Sequence, residues 1–179
     1  MSPAKKILIC ISGSISAYKA ASLASALKKN GHEVKIVATE TALKFIGPAA
    51  LEGITGQAVL TDMFNPAYEI PHINLSEWAD LIVLYPASAT TLARLRLGLA
   101  EDLLSAIFLS NNFRKPYWIC PAMNINMLEH PAVQENLQVL EKWGARLIDP
   151  EEGILACGTV GKGRAPDPVK LAELIEAAL

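Results

Sequence analysis

The chain has 179 residues, 51% of them hydrophobic and 6% aromatic, with a formal net charge of −2. That length suits one domain, residues 1–179, with a core large enough to need neither disulfides nor metal. The balanced charge, with no basic stripe, argues against a nucleic-acid partner.

Lys5-Lys6 lead into the apolar run Ile7 to Ile11. The run is too short for a signal segment or a membrane span, so no membrane partner and a cytoplasmic location are expected. Cys10, Cys120 and Cys157 are odd in number and widely spaced, which speaks against a disulfide framework and a structural zinc, and no metal is expected.

Lys6 to Ser12 reads as a buried strand stopped by Gly13. Ser14 or Ser16 can cap a helix that runs to about Asn30, where Lys28-Lys29-Asn30-Gly31 is a C-terminal signal. Glu33 to Thr39 reads as a strand, Thr41 to Ile46 as a short helix, and Pro48 to Gly56 as another. Residues 57 to 78 are expected to be irregular. Asp80 to Tyr85 is a strand broken by Pro86. Helices follow over Ala89 to Leu97 and Asp102 to Ser110. Pro116 to Cys120 is a strand, Pro131 to Trp143 a helix, and Arg146 to Ile148 a strand. Glu151 to Asp167 holds four glycines and reads as a long loop before a last helix, Pro168 to Leu179.

Strands alternating with helices predict an α/β fold: a three-layer Rossmann-like, flavodoxin-like parallel sheet with helices on both faces. Ligands then bind beyond the carboxyl ends of the strands. Gly13-Ser14-Ile15-Ser16 lies at such an end, where free N–H groups and a helix dipole attract an anion. It reads equally as a plain turn with a serine cap. One glycine stands where a dinucleotide fingerprint needs three, so a mononucleotide suits this turn better. Ser88-Ala89-Thr90-Thr91 is a second hydroxyl-rich turn, which reads as ordinary capping or as a phosphate or ribityl contact.

His72 follows Pro71 and reads alone as a packing residue or a catalyst. Pro121-Ala122-Met123-Asn124-Ile125-Asn126-Met127 follows a strand. Asn124 can bond a carboxylate or cap a helix, and the two methionines can line an adaptable pocket. Ala156-Cys157-Gly158 sits among glycines near Lys162 and Arg164, in a segment that reads as a mobile flap or a surface loop. Nearby cations favour the thiolate.

Together these segments resemble the flavin-containing cysteine decarboxylase family nearly end to end. The likeness is carried by Gly13-Ser14-Ile15-Ser16-Ala17-Tyr18-Lys19, His72-Ile73-x-Leu75, Pro86-Ala87-Ser88-Ala89-Thr90, Pro121-Ala122-Met123-Asn124-x-x-Met127, Ala156-Cys157-Gly158 and Gly161-x-Gly163-Arg164. The resemblance implies an enzyme that uses FMN to oxidise a substrate thiol to a thioaldehyde, release CO₂ and return the electrons. It implies catalytic roles for His72, Asn124 and Cys157, with Cys157 the proton donor. FMN contacts are implied for Gly13, Ser14, Ile15, Ser16, Thr39, Ser88, Ala89, Thr90, Thr91 and Met123. Substrate contacts are implied for Asn124, Met127, Ala156, Lys162 and Arg164. A homo-oligomer, a trimer or a dodecamer, is implied, with His72 and Cys157 serving sites shared between chains.

The expected substrate is a phosphorylated cysteine-containing small molecule, 4′-phosphopantothenoyl-cysteine of coenzyme A biosynthesis. A peptide's C-terminal cysteine, or a flavin-binding regulatory subunit without catalysis, are the alternatives. The family often has a cation in the two positions before Trp78, where this chain has Ser76-Glu77. A carboxylate repels a phosphate, so phosphate recognition falls to Lys162 or Arg164. Thr159 and Leu128 depart from the family's usual acid and aromatic.

Overall fold

A computed structural model describes residues 3–64, 69–154, 158 and 160–179. Five parallel strands form the central sheet: β1 (Lys6–Ile11), β2 (Glu33–Ala38), β3 (Leu81–Ala87), β4 (Tyr117–Pro121) and β5 (Arg146–Leu147), in the order β2-β1-β3-β4-β5. The two ways out of β1, toward β2 and toward β3, make the crevice above β1 and β3 the point where strand order reverses.

The alternation of side chains along the strands builds two cores. Ile7, Ile9 and Ile11 of β1 point to one face, which is covered by α1 (Lys19–Lys29) and α8 (Pro168–Ala178) through Leu23, Leu27, Leu171 and Ile175. Leu8 and Cys10 point to the other. That face is covered by α3 (Pro71–Trp78), α4 (Ala89–Leu97), α5 (Leu103–Asn111) and α7 (Pro131–Trp143). Each fully buried Leu or Ile contributes about 1.5–3 kcal/mol, so both helix layers are held mainly by these stripes. Burial also pushes the Cys10 and Cys120 thiols up, which keeps them protonated and inert in the core. The remaining helices are α2 (Pro48–Thr55) and α6 (Ile125–Leu128). No helix among the described residues is long and apolar enough to cross a membrane.

Three segments differ from the sequence reading. Residues 71–78, expected to be irregular, form α3. Pro71 occupies its first turn, where a missing N–H costs nothing, and Leu75 and Ser76 are buried. Strand β3 does not stop at Tyr85 but runs through Pro86 to Ala87, with a cis Tyr85–Pro86 bond and a register shift between Leu84 and Ala87. The glycine-rich stretch after residue 150 is not all loop. β6 (Glu151–Ile154) pairs antiparallel with β7 (Val160–Arg164) as a separate hairpin. The alternation of this hairpin is hidden in the sequence because Gly161 and Gly163 take its buried positions in β7.

Candidate active site

The turns beyond β1, β3 and β4 are tied to one another at the carboxyl edge of the sheet. Ser12, fully buried, donates its Oγ–H to the Pro86 carbonyl at 2.8 Å and accepts the Ser88 N–H at 2.8 Å. Ser14 Oγ donates to the Ala122 carbonyl at 3.2 Å and accepts the Ser16 N–H at 3.3 Å. Gly13 has no room for a side chain, since a Cβ there would lie 2.5 Å from Thr41 Cγ2. Thr39 Oγ1 accepts the Ala42 N–H and so braces the turn after β2.

The β1 turn enters a short 3-10 turn, Ile15–Tyr18, before α1 begins. This turn opens onto a cavity of about 420 Å³. Ser14, Ile15, Ser16, Tyr18 and Lys19 form one wall, Met123 and Asn124 another, and Ile154, Gly163 and Arg164 of the hairpin a third. The cavity therefore has a polar and cationic end beside apolar surfaces. Lys19 Nζ donates to the Ala165 carbonyl at 2.6 Å. Partial burial, and then the Arg164 guanidinium, hold the Lys19 ammonium below the usual lysine range. The Glu151 and Asp167 carboxylates pull the other way, and with Arg164 lining the same cavity two cations are offered to an anion there.

Asn124 caps α6, and its Oδ1 accepts the Asn126 N–H at 2.9 Å. The capping reading holds, and the same residue lines the cavity. Ser88 caps α4, accepting the Thr91 N–H at 3.3 Å, and its Oγ lies 3.1 Å from Thr91 Oγ1. Ser88, Ala89, Thr90 and Thr91 sit at the mouth of the neighbouring strand and do not line this cavity.

The Flavoprotein family profile matches residues 1–179. The chain belongs to the Flavoprotein family. It is 42% identical over 175 residues to the coenzyme A biosynthesis bifunctional protein CoaBC of Bacillus subtilis (strain 168), covering 96% of this chain and 42% of that protein. The flavoprotein thus spans about two fifths of the length of the curated relatives it matches. Among solved structures, a PPC decarboxylase mutant complexed with pantothenoylaminoethenethiol superposes with a TM-score of 0.90 at 30% identity, covering 98% of both chains. The FMN-dependent cysteine decarboxylase SpaF superposes with a TM-score of 0.81 at 33% identity, again over 98% of both.

Within one chain, the flavoprotein brings Ser14, Ile15, Ser16, Met123, Asn124 and Arg164 to one cavity. It does not bring His72 there. His72 lies in the first turn of α3, packed on α5, where its carbonyl accepts the Ser110 Oγ–H at 3.1 Å. Its Nδ1 is buried with no partner among the described residues. Lys162 faces a different cavity, of about 520 Å³, and pairs with Asp149 at 3.2 Å. Met127 is half-exposed on α6 and does not line the first cavity. Ser76 is buried against Ser110 while Glu77 is exposed, so neither presents a charge to the cavity that Arg164 lines. Ala156, Cys157 and Thr159 lie outside the described residues. Tyr18, Lys19, Ile154 and Gly163 line the cavity without having been singled out as ligand contacts. Lys19 had a visible signal, a cation one helical turn beyond the serines.

Proposed function

We propose that this flavoprotein binds FMN and removes CO₂ from the cysteine carboxylate of 4′-phosphopantothenoyl-cysteine, as a domain comprising residues 1–179. The observation that carries the reading is the single cavity that joins the serine turn after β1, Asn124 after β4 and the Lys19–Arg164 cation pair. The residues fit a phosphorylated flavin: hydroxyls and backbone N–H groups follow β1, and Met123 and Ile15 offer apolar contact. The relatives at high similarity, CoaBC and PPC decarboxylase, point the same way.

Bound FMN supplies the two-electron oxidation of the substrate thiol and the later return of those electrons. The chain's own residues bind, orient and move protons. Gly13, Ser14, Ile15 and Ser16, with Thr39, Met123 and the Ser88-Ala89-Thr90-Thr91 turn, hold the cofactor at the switch point. Asn124, fixed by its capping bond, offers its NH₂ end to the substrate carboxylate. Arg164 and Lys19 take the substrate phosphate, through charge-assisted bonds. Met127 and Ala156 complete the substrate contacts, and Lys162 rims the neighbouring surface. His72 serves as base or orienting group. Cys157 donates the last proton.

The distance of His72 from its own chain's cavity supports a reading in which it acts in the cavity of a second copy, in a trimer or a dodecamer located in the cytoplasm. Competition tests the substrate. The holoprotein is given equal amounts of 4′-phosphopantothenoyl-cysteine and a peptide ending in cysteine. The account expects the phosphorylated compound to lose CO₂ first. Preferential loss from the peptide overturns it in favour of peptide maturation.

A further inference from the structure

Arg164 is the last residue of β7, and it sits opposite Glu151 across the hairpin. Its backbone is held in place by its neighbours. Met123 N–H donates to the Gly163 carbonyl at 3.1 Å, Lys19 Nζ to Ala165, and the buried Tyr85 hydroxyl to Pro166 at 2.7 Å. From this fixed root the side chain packs over the first strand of the hairpin and lines the cavity. It does so at Gly153. A Cβ at Gly153 would lie 2.5 Å from Arg164 Nη1, 2.9 Å from Cδ and 3.4 Å from Cζ. The first two are shorter than any van der Waals separation, so the arginine occupies the space where any other residue would carry its side chain.

We propose that Gly153 is the positioning residue of the anion site: its missing side chain is the passage through which Arg164 reaches the cavity beside Lys19, and preference for a phosphorylated over an unphosphorylated substrate depends on that passage. The inference rests on the substrate reading above and adds to it a residue that touches neither substrate nor cofactor. A methyl at position 153 meets the mobile end of the arginine rather than backbone, so the guanidinium is what gives way. The same position has φ 159°, which makes a side chain there costly to the hairpin in its own right. A useful test must therefore separate a displaced cation from a loosened hairpin.

The separation comes from two substrates. In the FMN-loaded protein, kcat/KM is measured for 4′-phosphopantothenoyl-cysteine and for unphosphorylated pantothenoyl-cysteine, in the wild type, Gly153→Ala, Arg164→Gln and the double variant. A charge-assisted bond lost from the site corresponds to a drop on the order of ten- to a hundredfold. Gly153→Ala should show that drop on the phosphorylated substrate, mostly in KM, and stay within about twofold on the other. Arg164→Gln should match it, and the double variant should fall no further, since both changes remove one interaction. If Gly153→Ala is destabilised, Arg164→Ala in the same chain should recover the part of that loss that comes from crowding, read by denaturant unfolding.

Equal losses on both substrates, losses that multiply in the double variant, or no stability recovered by Arg164→Ala overturns the proposal. So does a weakened FMN affinity with the phosphate preference intact, which assigns the cation to the cofactor. A wild type with no preference for the phosphorylated substrate overturns the substrate reading itself, and this inference with it.

Discussion

Ser12 shows how much one hydroxyl can organise. It is fully buried, with its donor and acceptor capacity both used, on Pro86 and on Ser88. It therefore joins the turns after β1 and β3 at the point where the strand order reverses. Ser12→Ala takes the acceptor from the Ser88 N–H, while the Pro86 carbonyl keeps the Ser12 backbone N–H at 3.2 Å; the orphaned N–H costs about 1–3 kcal/mol. Denaturant unfolding should show that loss, FMN should bind more weakly, and Ser12→Thr should recover both. Stability and FMN affinity within error of wild type in Ser12→Ala would count against the coupling. Tyr117 is the opposite case, since its hydroxyl is buried with no partner among the described residues and burial pushes its pKa far up. Tyr117→Phe should be neutral or slightly stabilising in the same unfolding measurement.

Among the elements, α8 is held by a polar clasp as well as by its apolar stripe. His32 accepts the Lys5 N–H at Nδ1, at 3.1 Å, so Nε2 carries the proton and donates to Glu176 at 2.5 Å. Asn30 Nδ2 donates to the same carboxylate oxygen. Partial burial alone would raise the Glu176 pKa, but the Asn30 and His32 bonds outweigh it and hold the carboxyl below its usual range. A lowered pKa in the folded state means a contribution that is complete above the ordinary glutamate value of about 4.3 and is lost as pH falls through the lowered one. Stability measured against pH should therefore show an acid limb that is shallower in Glu176→Gln. An unchanged limb would remove the clasp from the account.

The elements also show what was legible in the sequence. The strands β1, β2 and β4 and the helix α7 carry strong apolar period, α4 has clear end signals at Ser88 and Gly98, and the structure has them where expected. Helix α3 was hidden because its eight residues bury only Pro71, Leu75 and Ser76, too few for a periodic stripe. The hairpin was hidden because glycines hold its inward positions. The site was legible where a motif and a strand end coincide, as at Ser14 and Asn124. The passage at Gly153 was not, because a missing side chain has meaning only when its neighbour in space is known.

For the whole molecule, the separation of His72 from the cavity has a direct consequence. If the proposed shared site holds, His72→Asn and Asn124→Ala are each expected to be inactive, each lacking one part of a site built from two copies. Mixed assemblies of the two should regain a fraction of wild-type turnover, because some sites then draw His72 from one copy and Asn124 from another. Mixed assemblies as inactive as either parent would place both residues of each site in one chain.

The reaction proposed for this chain is decarboxylation of a phosphorylated cysteine compound. The most direct measurement is the mass spectrum of 4′-phosphopantothenoyl-cysteine incubated with the FMN-loaded protein, beside the His72→Asn variant. The account predicts loss of one CO₂ per substrate with the wild type and an unchanged substrate with the variant. An FMN-loaded wild type that leaves the substrate intact would contradict it.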